Sequence, residues 1–221
     1  MRLIASQIAH RYRDHWVLKG ITVSIKQGEV VALLGANGAG KTTLFNIMAG
    51  VTHATEGQIW MGTQTMSHVS LDERARLGLI YLPQTSNLFQ NLTVEDHVDA
   101  QILSLFDLQT LSQRLCIHLS GGERKRVELA KAVSKQAKFL LLDEPFAAVD
   151  PITVLLLKRT IKRLKEWKIG VMITDHHAKE TLQIMDRGYF LFEGQLLAKG
   201  TSLQLGQNPY VKQTYLGYEQ T

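Results

Sequence analysis

The chain has 221 residues, of which 45% are hydrophobic and 20% are charged, and its formal net charge is +5. These values are typical of a globular protein with one domain, or with one core and a small inserted subdomain. No apolar run reaches the roughly 18 residues of a membrane-spanning helix, and the N-terminus lacks a secretion-signal pattern. A single cysteine excludes an intramolecular disulfide, so we expect a protein of the reducing cytosol.

Strand-like patterns predict two kinds of sheet. Residues 2–9 are strand-like, and residues 21–26 alternate apolar and polar side chains, as a half-buried antiparallel strand does. Continuous apolar runs, which are typical of strands buried on both faces of a parallel sheet, lie at 29–35, 138–144 and 169–175. Two shorter strand-like pieces follow after about residue 188.

Helical patterns separate the apolar runs, at 41–49, 121–136 and 152–167. Pro151 precedes the last of them, where the first turn of a helix accepts proline. Strands that alternate with helices predict an α/β core. Residues 93–118 have no buried-strand pattern and are predicted to be helical throughout, within a helical subdomain at about 85–135 inserted in the core. A short C-terminal helix is predicted at about 208–217.

The positive charge does not by itself select a partner. Basic residues are scattered along the chain, with small clusters at Arg124–Arg126 and Lys158–Lys165. The second cluster has helical spacing, which favours the solvated face of a helix over a groove for a polyanion. We therefore predict no nucleic-acid partner.

The stretch GANGAGKTT matches the phosphate-loop (Walker A) pattern G-x-x-x-x-G-K-[ST]. It follows a predicted buried strand and opens a predicted helix, where backbone N–H groups and the helix dipole face phosphate oxygens. Lys41 places its charge on the β- and γ-phosphates, and the Thr42 hydroxyl can ligate Mg²⁺. The alternative, a glycine-rich loop with an accidental lysine, does not explain this context. The predicted phosphate-binding residues are Gly35, Ala36, Asn37, Gly38, Ala39, Gly40, Lys41, Thr42 and Thr43.

Two acidic residues, Asp143 and Glu144, end the apolar run FLLLDE. Ligands of open α/β sheets bind at the carboxyl ends of the strands, so we expect both carboxylates to face the triphosphate. Asp143 is the candidate Mg²⁺ ligand, directly or through water, and Glu144 is the candidate general base or orienter of the attacking water. The alternative is a pair of solvated acids at a strand end.

A second candidate anion site lies in LSGGE, where two glycines follow Ser120 at the start of a strongly helical run. One chain seldom needs two such sites for one triphosphate. If two copies pair head to tail, Ser120, Gly121 and Gly122 of one copy can close on the γ-phosphate that the other copy holds.

With these motifs in this order, the chain resembles the nucleotide-binding subunits of the ATP-binding cassette (ABC) family over nearly its whole length. The resemblance implies a P-loop NTPase fold in one domain over residues 1–221, with a RecA-like parallel sheet core, an N-terminal antiparallel β-subdomain and a short inserted helical subdomain. It also implies a homodimer, ATP and Mg²⁺ as cofactors, and ATP hydrolysis coupled to transport, with Lys41, Glu144 and His176 as catalytic residues.

The same resemblance gives roles to further residues. Gln84 in YLPQ matches the glutamine that senses Mg²⁺ and the membrane partner, and Asp150 in AAVD lies in the loop that contacts the partner subunit. His176 in TDHH matches the switch histidine. Tyr12 lies where the family places an aromatic ring that stacks on adenine, with Trp16 as the alternative.

Three segments, LLLDEPFAAVDPI, ITDHHAKETL and PYVKQTYLGYEQ, are similar to the ATPases of lipopolysaccharide exporters. This similarity implies two transmembrane permease subunits that dock near Gln84, Phe89 and the helical subdomain, and a peripheral position on the cytoplasmic face of the inner membrane. ATPases of branched-chain amino acid importers share the VK-x-x-YLG ending and are the alternative.

The chain departs from the exporter pattern in two places. The segment from Gln84 to Ser120 is shorter by the equivalent of a helical hairpin, which removes part of the subdomain expected to dock. Ala36 replaces the more usual proline of the phosphate loop, with little expected effect because backbone N–H groups bind the phosphates. A soluble cassette ATPase of DNA repair or translation would carry tandem cassettes or a long coiled coil, and this chain has neither.

Overall fold

The computed structural model describes residues 1–212. Its strands, in chain order, are β1 (Arg2–Tyr12), β2 (His15–Lys26), β3 (Val30–Leu34), β4 (Glu56–Met61), β5 (Gln64–Thr65), β6 (Leu79–Leu82), β7 (Phe139–Asp143), β8 (Gly170–Thr174), β9 (Arg187–Phe192) and β10 (Gln195–Thr201). Its α-helices are α1 (Lys41–Ala49), α2 (Leu71–Arg76), α3 (Ala100–Leu105), α4 (Gly121–Ser134), α5 (Pro151–Glu166), α6 (Ala178–Leu182), α7 (Ser202–Gln207) and α8 (Pro209–Val211).

Six strands form the larger sheet, in the order β10-β9-β3-β8-β7-β6. The strands from β9 to β6 are parallel, and β10 pairs antiparallel with β9 at one edge. Every residue of β3, β7 and β8 is buried, which explains their unbroken apolar sequences. The predicted α/β fold with a parallel core is confirmed.

Alternate residues of β3 face two separate cores. Val30 and Leu34 pack in the core that contains residues of α4 and α5. Val31 and Leu33 pack in the other core, with α1 and the inner face of the smaller sheet. The parallel sheet is therefore covered on both sides, and its strand ends remain available at one edge for a site.

The smaller sheet is antiparallel and has the strand order β2-β1-β4-β5. Its long hairpin, β1 and β2, includes the predicted strands at 2–9 and 21–26 and extends beyond both. The register of β1 shifts between Ala5 and Ile8, where Gln7 has a φ of 52°. This sheet is the antiparallel β-subdomain that was predicted.

The prediction that residues 93–118 are helical throughout is wrong. Within this segment the structure has one six-residue helix, α3, and two single 3₁₀ turns at Gln109–Leu111 and Cys116–His118. Asp107, with a φ of 54°, follows the end of α3, and an antiparallel bridge joins Thr93 to Leu115. The apolar spacing instead reflects short turns that bury Val94, Val98, Leu103 and Leu108 in one core.

Several short elements were not predicted, namely β4, β5, β6, α2, α6 and α7. The predicted C-terminal helix at about 208–217 is present at its start as α8, and its residues after 212 lie outside the described part of the chain. Among the described residues, no helix is both long enough and apolar enough to cross a membrane.

Candidate nucleotide-binding and hydrolysis site

The phosphate loop connects the end of β3 to the start of α1. Gly35, with a φ of 151°, packs so closely on β9 that a side chain would overlap the Leu191 carbonyl. Gly40 has a φ of 104°, and a Cβ there would lie 2.8 Å from the Leu18 side chain. Both glycines are therefore required by the path of the loop. Between them Asn37 is exposed, so the outer rim of the loop faces solvent.

Lys41 is the first residue of α1 and is only 7% exposed. Its Nζ donates hydrogen bonds to the carbonyl oxygens of Gly35 at 2.8 Å and Ala36 at 2.9 Å. Burial lowers the pKa of this ammonium group, and the nearby carboxylates, with Glu144 the largest contributor, oppose the shift. The Lys41 ammonium group is thus held against the phosphate loop. The next residue, Thr42, is exposed.

Asp143 is the last residue of β7 and is held by the two neighbouring strands. Its Oδ1 accepts a hydrogen bond from the Thr174 hydroxyl at 2.6 Å, and its Oδ2 accepts one from the Tyr81 hydroxyl at 3.1 Å. Burial, followed by the charge of Asp143, raises the pKa of Tyr81. Tyr81 therefore remains a hydrogen-bond donor, and the Asp143 carboxylate has a fixed orientation.

The Glu144 carboxylate brings together two other predicted site residues. Gln84 Nε2 donates to Glu144 Oε2 at 2.8 Å, and His176 Nδ1 lies 3.2 Å from Glu144 Oε1. The three residues follow β6, β7 and β8, which are neighbours in the sheet. The structure thus brings Gln84, Glu144 and His176 together at the carboxyl ends of these strands.

Asp175, a fully buried residue next to His176, was missed by the sequence analysis. Its Oδ2 accepts a hydrogen bond from the Phe146 backbone N–H at 2.8 Å. Its Oδ1 accepts the His177 backbone N–H at 2.8 Å and lies 2.7 Å from His177 Nδ1. This carboxylate ties the turn after Glu144 to the turn that carries both histidines.

The LSGGE segment forms the N-terminus of α4. The Ser120 side chain accepts the Glu123 backbone N–H and the Glu123 side chain accepts the Ser120 backbone N–H, which is a capping box. A side chain at Gly122 would overlap Thr153 of α5, whereas a Cβ at Gly121 would have only the Ala148 carbonyl oxygen nearby, at 3.7 Å. The segment also contacts Arg114, whose Nη1 donates to Glu123 Oε1 at 3.1 Å, and Gly121 is exposed.

Asp150 is the N-cap of α5. One carboxylate oxygen accepts the backbone N–H groups of Ile152 and Thr153, both at 3.0 Å, and the other accepts the Thr153 hydroxyl at 2.6 Å. Within the described chain Asp150 therefore acts as a helix cap. Its predicted contact with nucleotide or partner stays a prediction.

A family model described as ABC transporter matches residues 18–147. This span includes the phosphate loop, the LSGGE segment and the Asp143–Glu144 pair. The chain belongs to the ABC transporter family. Its predicted enzyme class, an ATPase that binds and hydrolyses ATP, follows from this membership.

Curated relatives of this ABC ATPase cover nearly its whole length. It is 39% identical to the lipopolysaccharide export system ATP-binding protein LptB of Escherichia coli K12, over 97% of each chain. It is 40% identical to LptB of Acidithiobacillus ferridurans, over 97% of this chain and 96% of that one. The alignment to the E. coli protein spans 233 positions, more than the 221 residues here, so that relative has residues that this chain lacks.

Among solved structures, the ADP conformation of MJ1267, an ATP-binding cassette of an ABC transporter, superposes on this ABC ATPase with a TM-score of 0.90. The two chains are 25% identical, and the match covers 99% of this chain and 100% of that one.

Both candidates for the adenine-stacking ring lie near the tip of the hairpin between β1 and β2. Tyr12 pairs with His15 across the hairpin and packs edge-on against the His10 ring, with 4.7 Å between the ring centroids. Trp16 pairs with Arg11, whose guanidinium lies 5.6 Å from the Trp16 ring centroid. Both rings are exposed, so the ABC ATPase retains two candidates for one role.

Phe89, which the sequence analysis placed at the docking surface, is 68% exposed. Its ring stacks on the His97 ring with 5.8 Å between centroids, and the Lys131 ammonium lies 5.5 Å from the Phe89 ring centroid. Nearby, a groove between α2 and α4 is lined by Ala75, Ile80, Leu82, Asn87, Glu128 and Lys131. The predicted contact residue is therefore on the surface of the ABC ATPase and beside a groove.

Proposed function

We propose that this ABC ATPase drives lipopolysaccharide export from the cytoplasmic face of the inner membrane. The observation that carries the proposal is the 39–40% identity, over 97% of this chain, to curated proteins named for that export system. The nucleotide motifs alone would fit any transporter of the family. Similarity that continues through the remaining chain supports the more specific assignment.

In this proposal, residues 35–43 bind the phosphates of ATP, and Tyr12 or Trp16 stacks on the adenine. The oxygen donors that Mg²⁺ requires are present in the Thr42 hydroxyl and the Asp143 carboxylate. Each Asp143 oxygen accepts one hydrogen bond and keeps a second lone pair for the ion or its water. The Gln84 side-chain N–H donates a hydrogen bond to Glu144, which leaves the Gln84 amide oxygen as a further ligand. The residues present therefore fit Mg²⁺.

Glu144 is the proposed general base for hydrolysis. Its carboxylate takes a proton from a water whose oxygen bonds to the γ-phosphorus, while the bond from that phosphorus to the bridging oxygen breaks and ADP leaves. Lys41 stabilises the negative charge on the transferring phosphoryl group. His176, which contacts Glu144, positions the γ-phosphate and the water. Bound Mg²⁺ supplies charge neutralisation on the phosphate oxygens.

A second copy of the chain completes each site in this proposal, and the predicted homodimer follows. Ser120, Gly121 and Gly122 of that copy close on the γ-phosphate, and its Asp150 loop lies at the same interface. The open outer side of Gly121 supports this arrangement, because no group among residues 1–212 requires a glycine there. ATP then holds the dimer closed, and hydrolysis reopens it.

Membrane subunits are proposed to dock at Phe89, Gln84 and the groove beside the helical subdomain. Glu128 of the groove lies 3.6 Å from the Lys125 ammonium, which donates to the Gln84 carbonyl at 3.1 Å, and the Gln84 side chain donates to Glu144. Movement of docked subunits can therefore be coupled to the hydrolysis residues through Gln84.

The experiment that tests this function is affinity purification of the chain from membranes of its own organism, followed by ATPase assays of the complex in vesicles with and without lipopolysaccharide. We expect two dissimilar permease subunits and an ATPase rate that lipopolysaccharide increases. Phe89→Ala should lose the permeases, whereas Leu203→Ala, which removes a 70% exposed side chain elsewhere, should keep them. Permeases accompanied by a soluble amino-acid-binding protein would identify an importer instead.

A further inference from the structure

Three consecutive residues beyond β8 form a group suited to hold a metal ion. One ligand atom each from Asp175, His176 and His177 lies within 4.8 Å of the others. Asp175 is fully buried and both imidazoles are exposed, with 5.3 Å between the ring centroids. A small ion can therefore reach the two histidines from solvent while the carboxylate lies beneath them.

The donor set differs in chemistry from the proposed Mg²⁺ site. Mg²⁺ takes oxygen ligands almost exclusively, as Thr42 and Asp143 would supply. Two imidazoles and one carboxylate suit Zn²⁺ and similar first-row ions, with a fourth position for water. The Asp175–His176–His177 group is therefore expected to select a different class of metal from the one that accompanies ATP.

The surroundings already orient this group. The Asp175 carboxylate is fixed by the backbone N–H groups of Phe146 and His177, at 2.8 Å each. His176 Nδ1 lies 3.2 Å from a Glu144 oxygen, so a second carboxylate adjoins the group. Carboxylates beside ligating histidines fix the rings and strengthen their binding to metal. The ligand side chains are thus partly ordered before a metal ion binds.

We propose that Asp175, His176 and His177 bind a zinc-class ion, and that the bound ion stops ATP hydrolysis by holding His176 at the metal and away from the γ-phosphate. This inference rests on the proposed function of His176. No residue of the phosphate loop is among the three ligands, so the metal is expected to leave ATP binding intact. The ion is therefore expected to inhibit ATP hydrolysis without changing the affinity for ATP.

The test measures steady-state ATPase of the full chain at saturating Mg·ATP while Zn²⁺ is titrated. We expect loss of activity that EDTA equimolar to the zinc reverses. His177→Asn should keep the basal rate, because the His177 backbone N–H still bonds Asp175 and asparagine is a good N-cap for α6. That variant should need at least about tenfold more zinc for half inhibition. His53→Asn, at an exposed histidine outside the group, is the matched control and should behave as the parent does.

A binding measurement separates this inference from the proposed function. Calorimetric titration with Zn²⁺, in the absence of nucleotide, should give one site in the parent and about tenfold weaker binding in His177→Asn. No zinc binding in a chain that hydrolyses ATP normally would overturn the inference and leave the function intact. Equal inhibition of the parent and His177→Asn would also overturn it, since the ion would then act elsewhere. If the zinc-free chain had no ATPase activity, that result would count against the proposed catalytic residues. Calorimetry would still show whether the metal site exists.

Discussion

At the scale of single residues, Glu144 combines an unusual backbone with a shared carboxylate. Its φ of 52° lies in the left-handed region, which costs of order 1–3 kcal/mol for a residue other than glycine. The Glu144 N–H donates to the Thr174 carbonyl at 2.8 Å, so β8 stabilises this turn. The same turn places the side chain between Gln84 and His176. A strained residue that is held this firmly is a common feature of catalytic sites.

Glu144→Gln should slow catalysis strongly without loss of substrate binding. Glutamine keeps the shape of the side chain but cannot accept the proton of the attacking water, so kcat should fall about 10²–10⁴-fold. Phosphate release measures the rate, and equilibrium titration measures ATP affinity, which should be unchanged. Glu166→Gln, at the exposed end of α5, is the control. A parental rate in Glu144→Gln would show that another group is the base.

Tyr81→Phe should weaken the response to Mg²⁺. The change removes the hydrogen bond to Asp143 and keeps the ring in its edge-on contact with Phe45, at 6.5 Å between centroids. Loss of a partner that orients a metal ligand typically costs 10-fold or more in affinity, so half-maximal ATPase should need about tenfold more Mg²⁺. The rate at saturating Mg²⁺ should stay near the parental value. An unchanged Mg²⁺ dependence would argue against Asp143 as the ligand.

The sequence supplied the candidate catalytic residues, whose roles stay predictions, and missed the residues that hold these candidates in place. Lys41, Glu144 and His176 stand in motifs with a recognisable order. Tyr81 and Asp175 do not, because their importance depends on which strand lies beside which. Tyr81 reaches Asp143 only because β6 neighbours β7, and strand order cannot be read from local patterns.

At the scale of elements, two adjacent glycines of α4 have opposite surroundings. Gly122 faces α5, where Thr153 is restrained because its hydroxyl and N–H both bond Asp150. At Gly121, in the described part of the chain, only the Ala148 carbonyl oxygen lies near an added Cβ, at 3.7 Å. Alanine at Gly122 therefore tests packing within the monomer, and alanine at Gly121 tests a role at an interface between two copies.

Gly122→Ala should lower the free energy of unfolding by about 1–3 kcal/mol, as overpacked contacts do. Gly121→Ala should leave it unchanged or raise it, because alanine favours helix over glycine, yet should reduce ATPase activity. Urea denaturation and phosphate release measure the two effects. If Gly121→Ala were as active as the parent, the proposed approach of a second copy to this glycine would be contradicted.

Element prediction was clearest for the uniformly buried strands, and it failed for the shortest elements and for residues 93–118. The runs that became β3, β7 and β8 are buried at every position, so their composition alone is diagnostic. Strand β5 has two exposed residues and offers no periodic pattern. Residues 93–118 satisfy a helical spacing, but their backbone hydrogen bonds go to turns and to a bridge, which composition does not reveal.

At the scale of the whole molecule, the hydrolysis site is proposed to be complete only in a dimer. Glu144→Gln with ATP and Mg²⁺ should therefore be dimeric by light scattering, because a bound triphosphate that is not hydrolysed keeps the interface closed. The same variant without nucleotide should be monomeric. Adding Gly121→Ala to it should restore the monomer in ATP, whereas Glu166→Gln added in its place should not. A monomer under all conditions would refute the composite site.

The position of β3 in the larger sheet has a consequence for how the protein is made. Both neighbours of β3, Gly170–Thr174 and Arg187–Phe192, come from far later in the chain than the phosphate loop that β3 carries. During synthesis, the loop therefore leaves the ribosome on a strand that has no partner. Pairing of parallel strands across such a separation is slow. A growing chain consequently gains its nucleotide site only after residues 170–192 have been synthesised, and an unpaired apolar β3 is the segment that a chaperone would need to protect until then.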